Sequence, residues 1–478
     1  MLTFNYDKYT MEIKIRPIEI PKGDPFANDD LGREPEIKNL TTLLVNIETP
    51  LVLAVDAKWG SGKTTFIKMW EEHLESQNVI SLYFNAWETD FASDPLIAFL
   101  GELNQTVLKV SGKDKGKQKI WEKTKKVGSQ IAKRIIPVSV KLGTAGLIDA
   151  DKLVEDELSN LTKKIAEDAV AQYENTKGLV LQFKENLNEL FKTIEGDDHK
   201  SVFVFVDELD RCRPNYALEL LERIKHLLDI KNLIFVLSID KDQLCNSVKS
   251  VYGSELDAVN YLRRFIDIEY LLKLPKRDKY LQSVYNKFGF EDFFESRKQY
   301  DAFRYEKDAF WKILNILAES FNLSLREIEQ FFSKMYLVVL STKENIHLYT
   351  PLLLTLVFLK EKNRKLYNLF IDPSSTGDEI VRYFREIVPK DQRVLGYSFA
   401  LLEGFIIASK KKWHEESRSE IFKEMANIAG NEQSSPEDRD YAQRFIKIVN
   451  EPLDWRSGIV LEDLIKRFEM AENFILKE

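Results

Sequence analysis

The stretch from Val52 to Thr65, VLAVDAKWGSGKTT, constrains this chain more than any other part of it. Pro50–Ala57 is a short apolar, partly β-branched run of the kind that forms a strand buried on both faces. TTFIKMWEEHLESQ, directly after the glycines, has helical periodicity. A strand, a glycine-rich turn and a helix in immediate succession make a polyphosphate cradle. Glycines let backbone N–H groups converge on phosphate oxygens, and the helix N-terminus adds its positive end. Trp59, Gly60, Ser61, Gly62, Lys63, Thr64 and Thr65 are therefore the candidate nucleotide-binding residues. Lys63 would reach the β- and γ-phosphates and the Thr64 hydroxyl would ligate Mg²⁺. The usual Walker A pattern opens with glycine; here that position is Ala57, which must take an ordinary α or β conformation.

A second strand supplies the matching acids. In SVFVFVDELD five apolar residues, Val202 to Val206, run into Asp207–Glu208. Carboxylates at the carboxyl end of a buried parallel strand sit where open α/β sheets bind ligands. Asp207 is the candidate Mg²⁺ ligand of a Walker B strand. Glu208 is the candidate base that activates a water for in-line attack. Helix capping is the plainer alternative, and it accounts for one acid rather than the pair.

SLYFNAW (Ser81–Trp87) and NLIFVLSID (Asn232–Asp240) read as further strands, with helices between them. Such alternation predicts a parallel sheet with crossover helices. MEIKIRPIEI, near the N-terminus, reads as an edge strand, and Asp29–Asp30 as caps for a helix beginning near Arg33–Glu34. Between about Asp94 and Asp198 the pattern is polar and helical, a helical insertion between the Walker A and Walker B strands. Beyond Leu274–Pro275 everything reads as helix. The expected class is α/β: a P-loop NTPase with a mostly parallel sheet, a helical insertion and a C-terminal all-helical region. Its expected divisions are a core over 1–275 (insertion about 95–198), a lid-like helical subdomain over 276–345 and a helical domain over 346–478.

Composition narrows the alternatives. A net charge of −8 argues against a protein that coats nucleic acid along its whole surface. Two cysteines, Cys212 and Cys245, and five scattered histidines provide neither a disulfide framework nor a zinc site. No signal sequence and no uninterrupted apolar window of spanning length is apparent, so a soluble cytoplasmic protein without a transmembrane segment is expected. The lysine-rich stretch Lys113–Lys126, interleaved with Ile120 and Trp121, raises a nucleic-acid or membrane-surface role beside the plainer reading of a solvated helix face. Lys410–Lys412 with Trp413 stands likewise.

Taken in order, DDLGR (Asp29–Arg33), WGSGKTT (Trp59–Thr65), YFNAWETD (Tyr83–Asp90), VFVDELDRC (Val204–Cys212), FVLSIDKDQL (Phe235–Leu244) and YLRRFIDIEYLLKLP (Tyr261–Pro275) resemble the KAP family of P-loop NTPases. NLSLREIEQFF and LLLTLVFLKEKNRKLYNLF resemble its later helical parts. The resemblance implies Mg²⁺-dependent ATP hydrolysis, with phage exclusion as the setting of bacterial members. It also implies that Leu31 and Gly32 lie against the base and that Arg326 is a lid arginine sensing the γ-phosphate. The plainer reading of Arg326 is a helix arginine paired with Glu327 or Glu329. The chain departs from the family in three places: its insertion is polar where many relatives carry membrane helices, it has Asp207–Glu208 where two aspartates are commoner, and it has Arg263–Arg264 where relatives often read YLEK.

Arg211, Arg263 and Arg264 are candidates for an arginine finger, with Arg264 taken as the leading one and Arg211 as the one most suited to a structural salt bridge. Asn85 could position water, and Asp240 could meet the γ-phosphate or cap a helix. ATP hydrolysis coupled to conformational change is the leading expectation. A nucleotide-binding switch or scaffold with little turnover and a P-loop phosphotransferase are the alternatives. Homo-oligomerisation and a protein or nucleic-acid trigger stay open.

Overall fold

The computed structural model describes residues 18–92, 94–112, 114–134, 174–193, 201–227, 229–273, 277–343, 345–394, 397–410, 419–451 and 457–472. They form two compact units, one within residues 18–273 and one within 277–472.

The first unit is built on a five-stranded sheet. Its strands are β1 (Leu51–Asp56), β2 (Ser81–Asn85), β3 (Val202–Asp207), β4 (Leu233–Ile239) and β5 (Ile268–Leu271). They lie in the order β2-β3-β4-β1-β5, and every pairing is parallel. Because side chains alternate across a strand, the apolar runs serve two cores at once. Leu53, Val55, Phe203 and Phe205 face helices α1 (Glu34–Leu44) and α2 (Lys63–Ser76), where Trp70 is fully buried. Val52, Ala54, Val202, Val204 and Val206 face the opposite layer. That layer contains α3 (Pro95–Ser111), α4 (Lys115–Arg134), α5 (174–193), α6 (Pro214–Leu227) and α7 (Lys241–Tyr252), followed by the short α8 (Ala258–Leu262). Burial on both faces is why these strands read as continuous apolar runs.

The four strands expected from the sequence are present. The fifth, IEYL, escapes a pattern-based reading because it is a short edge strand: Ile268 is 47% exposed and Leu271 70%. Of the expected N-terminal edge strand only Ile18–Ile20 are described, and these carry no strand; its other residues lie outside those described. Asp29 does serve α1, its Oδ2 accepting from the Glu34 amide at 2.8 Å.

The described parts of the insertion are core elements rather than an appendage. Phe99, Leu103, Trp121, Val127, Ile131, Phe183, Leu187 and Leu190 pack into the same cluster as β3 and α6. Trp121 is fully buried and its indole N–H donates to Asn104 Oδ1 at 2.7 Å. The aromatic thought to interleave with the lysines therefore faces the core, and Lys115, Lys119, Lys123 and Lys126 occupy the exposed side of α4. Residues 135–173, and Lys411–Trp413 with them, lie outside the described set.

All described regular elements of the second unit are helical. Among the described residues no helix is long and apolar enough to cross a membrane. An aromatic cluster of Tyr285, Phe290, Phe294, Phe310 and Phe332 forms part of its core. Beside it is a buried ion pair: Arg297 Nη2 lies 2.8 Å from Glu306 Oε2, with side chains 1% and 4% exposed.

Candidate active site

The phosphate loop joins β1 to α2 at the carboxyl edge of the sheet. Gly60 and Gly62 have φ of +76° and +85°, conformations a side chain would strain. Ala57 is not one of the left-handed positions, so its methyl group is tolerated there. The loop is held from β4 and from the turn after β3. The Ala57 amide donates to Ile239 O at 3.0 Å, the Trp59 amide to Asp240 Oδ2 at 3.3 Å, and the Trp59 indole to Asp210 Oδ2. From below, the buried Arg33 guanidinium donates to Ser61 O at 3.4 Å and to Lys273 O at 2.7 Å. Lys63 folds back over the loop and donates to Ala57 O. Burial holds its ammonium below the usual lysine range, with Asp210, Asp240 and Asp207 pulling the other way.

Register explains how the acids meet this loop. Asp207, the last residue of β3, pairs with Asn85 on β2 and with Ser238 on β4. It is 1% exposed, accepting from the Tyr83 hydroxyl at 3.0 Å and from the Glu208 amide at 2.9 Å. Glu208 has φ +59° and ψ +26°, left-handed for a residue with a side chain. From there its carboxylate meets Asn85 Nδ2 at 3.3 Å through Oε2 and Arg211 Nη1 at 2.7 Å through Oε1. Burial raises its pKa above the ordinary value, with Arg211 opposing that shift. Asp210 is raised as well, again by burial and against the pull of Lys63 and the Trp59 indole.

This donor set suits a hard divalent cation. Asp207 is a buried carboxylate whose charge reaches the Lys63 ammonium, and Thr64 follows Lys63 on the first turn of α2; Mg²⁺ is commonly held by one or two carboxylates plus substrate phosphates. Two polar atoms of the cradle, Ser61 Oγ and Asp240 Oδ1, are buried without a hydrogen-bond partner among the described residues. Asp240 is accompanied by Lys58 at 3.6 Å. Among the described residues no cluster of three or more His, Cys, Asp or Glu could hold a metal without such help.

Other sequence candidates fall in different places. Leu31 is buried, and Gly32 turns with φ +68° to deliver Arg33 beneath the loop. Asp240 does not cap α7; Asp56 Oδ1 accepts the Lys241 amide at 2.9 Å instead, leaving Asp240 for the loop. Arg264 is exposed, with its guanidinium over the Tyr261 ring. It precedes β5, where the Asp267 carboxylate accepts the Val52 amide, so it sits at the amino edge of the sheet. The length of β1 separates that edge from the phosphate loop, and Arg264 does not reach the loop of its own chain. Arg326 is exposed on the helix Leu325–Leu340 of the other unit, where its charge acts on Glu329.

Three contributors were not anticipated: Arg33, Tyr83 and Asp210. Tyr83 was readable in principle, since it shares a strand face with Asn85 two residues on. The carbonyls that Arg33 meets at Ser61 and Lys273, and the partners of Asp210, lie long stretches of chain away and left no local pattern.

Comparison with known proteins fits this geometry. Residues 33–341 match the KAP family P-loop domain. A curated relative is the phage T7 exclusion protein of Escherichia coli K12, 21% identical over 251 residues, which are 49% of this chain and 31% of that protein. The chain thus matches about a third of that relative's length. Among solved structures, the ORC2 protein of Aeropyrum pernix, described as ADPNP–ADP complexes, covers 92% of this chain and 95% of its own at 12% identity and a TM-score of 0.33, too low to bear on the argument. The family match spans more than half of the chain and includes the phosphate loop and the acidic strand. The chain belongs to the KAP family of P-loop NTPases.

Proposed function

We propose that this chain hydrolyses ATP with Mg²⁺ and couples the cycle to conformational change. The observation that carries the reading is the position of Glu208: beside Asp207 at the carboxyl edge, oriented by two side chains, and close to a loop whose Lys63 is surrounded by Asp207, Asp210 and Asp240.

In this reading Gly60 to Thr65 wrap the phosphates with backbone N–H groups, and Trp59 lies at the outer side of that cradle. Lys63 exchanges its bond to Ala57 O for the β- and γ-phosphates. Thr64 and Asp207 would hold Mg²⁺, with Tyr83 keeping the Asp207 carboxylate in one orientation. Bound there, the ion would neutralise charge on the phosphate oxygens. Glu208 takes a proton from the attacking water, a role suited to a carboxylate whose basicity burial has increased. Leu31 and Gly32 would flank the base. For Arg326 only the family resemblance supports γ-phosphate sensing, and Arg264, far from its own phosphate loop, could act as a finger only on a second copy of the chain. The name of the Escherichia coli relative supports phage exclusion as the biological setting.

The test is steady-state hydrolysis by the purified protein with Mg²⁺ and either ATP or GTP. Glu208→Gln should bind MgATP normally and lose about a hundredfold or more in kcat. Lys63→Ala should lose binding. A Glu208→Gln protein that turns over at the wild-type rate refutes the base assignment. Wild-type protein that binds MgATP tightly without turnover would favour a switch.

A further inference from the structure

The two oxygens of Glu208 are engaged from opposite sides. Asn85 approaches Oε2 from the end of β2 and is itself fixed, because its Oδ1 accepts the amides of Trp87 at 3.1 Å and Glu88 at 3.2 Å. Arg211 approaches Oε1 from the short turn after β3. The Arg211 guanidinium is held in turn by two indoles, its Cζ lying 5.6 Å from the Trp87 ring centroid and 6.0 Å from that of Trp59. Trp87 follows β2, whereas Trp59 belongs to the phosphate loop and bonds to Asp210, the neighbour of Arg211.

We infer that Arg211 is the positioning residue for Glu208, fixing the carboxylate opposite Asn85 and registering it to the phosphate loop through Trp59. The inference rests on the hydrolysis reading above. The terminal torsion of a glutamate is broad, while a general base must stay within hydrogen-bond reach of the proton it takes. Asn85 at 3.3 Å is a loose restraint. The charge-assisted contact from Arg211 at 2.7 Å is the tighter one and supplies most of the orientation. The Arg211 charge also reaches Lys63 of the phosphate loop, but its direct contact is with Glu208 at 2.7 Å, the carboxylate through which it acts in this reading.

The experiment compares wild type, Arg211→Gln, Arg211→Lys, Glu208→Gln and the Arg211→Gln/Glu208→Gln double variant. MgATP turnover and binding of a fluorescent ATP analogue are measured separately. Arg211→Gln should lower kcat about ten- to a hundredfold, with KM and Kd within about twofold of wild type, the split expected when an interaction serves only the chemical step. Arg211→Lys should recover part of kcat, since it keeps the charge without the planar fork. The double variant should be no slower than Glu208→Gln alone, because a residue that acts through Glu208 has nothing left to position.

Unchanged kcat in Arg211→Gln overturns the inference. A tenfold or greater loss of MgATP affinity also overturns it, as does a double variant with multiplied losses; each would assign Arg211 to the phosphates or to the scaffold. If Arg211→Gln does not fold, the lysine variant decides, and wild-type kcat there overturns the inference as well. Wild type that binds MgATP with no Glu208-dependent turnover removes the hydrolysis reading and this inference together. Glu208-dependent turnover indifferent to Arg211 removes this inference alone.

Discussion

Replacing Arg33 with Met tests how the phosphate loop is held in place. The guanidinium is 2% exposed and donates to Lys273 O at 2.7 Å, to Glu36 Oε2 at 3.2 Å and to Ser61 O at 3.4 Å, with its Cζ 5.9 Å from the centre of the Phe66 ring. Hydrogen bonds involving a charged group contribute about 1.5–3 kcal/mol each, so the two shorter ones together stabilise the unit by about 3–6 kcal/mol. The contact to Ser61 O is near the distance limit and adds about 0.5 kcal/mol. Opposing them is the desolvation of a buried cation, about several kcal/mol, the same burial that lowers the pKa of Arg33. Methionine keeps the packing of the stem and carries no charge to desolvate, so much of both contributions disappears together. The expected net loss is about 2 kcal/mol of unfolding free energy, within the range for breaking a buried polar network. Only the Ser61 contact bears on nucleotide, and losing about 0.5 kcal/mol there weakens binding about twofold. Arg33→Lys should be no better than methionine, because one ammonium cannot replace a fork that spans two carbonyls. Urea unfolding and titration with a fluorescent nucleotide measure both effects. Methionine within about 0.5 kcal/mol of wild type with unchanged affinity, or lysine equal to arginine, would refute the reasoning.

Two further outcomes follow from the same kind of accounting. Tyr83→Phe removes the hydroxyl that orients Asp207, and the Mg²⁺ concentration for half-maximal turnover should rise about tenfold, as for other groups supporting a metal ligand; a titration with MgCl₂ at saturating ATP reads it. In the second unit, Glu306→Gln removes the carboxylate beside the buried Arg297 guanidinium and should cost about 3–5 kcal/mol, read by hydrogen exchange over residues 290–350. Burial opposes the charged form of Glu306, yet His347, Arg297 and the Leu348 amide together hold its carboxyl below the usual range. A depressed folded-state pKa gives a contribution that is complete above the unfolded value of about 4.3 and is lost as pH falls through the folded value. Protection in this region should therefore hold from neutral pH down to about 4.3 and then decline in wild type, while Glu306→Gln, already weakened, declines less steeply.

The sequence by itself determined the parts of this protein whose physics is local. A glycine turn between a strand and a helix is written in consecutive residues, so the phosphate loop from Trp59 to Thr65 was legible. The carboxylates at the end of Val202–Val206 were legible too, because burial on both faces leaves an unbroken apolar run that stops where the strand emerges. Four of the five strands announced themselves in this way. The fifth did not, since an exposed edge strand need not be apolar.

What only the tertiary structure decided depends on which strands become neighbours. The strand order puts β4 between β1 and β3, bringing Asp240 to the loop while Asp56 takes over the capping of α7. The register of β2 on β3 sets Asn85 beside Asp207, and that proximity turns Asn85 into a partner of Glu208. Arg33 meets a carbonyl 240 residues away. Arg264, attractive by composition, lands at the opposite edge from its own chain's phosphate loop, and Trp121 turns inward from the lysines that flank it in sequence. A side chain's chemistry is fixed by its type, but its partner is chosen by strand order, register and face, and these are properties of the packed chain as a whole.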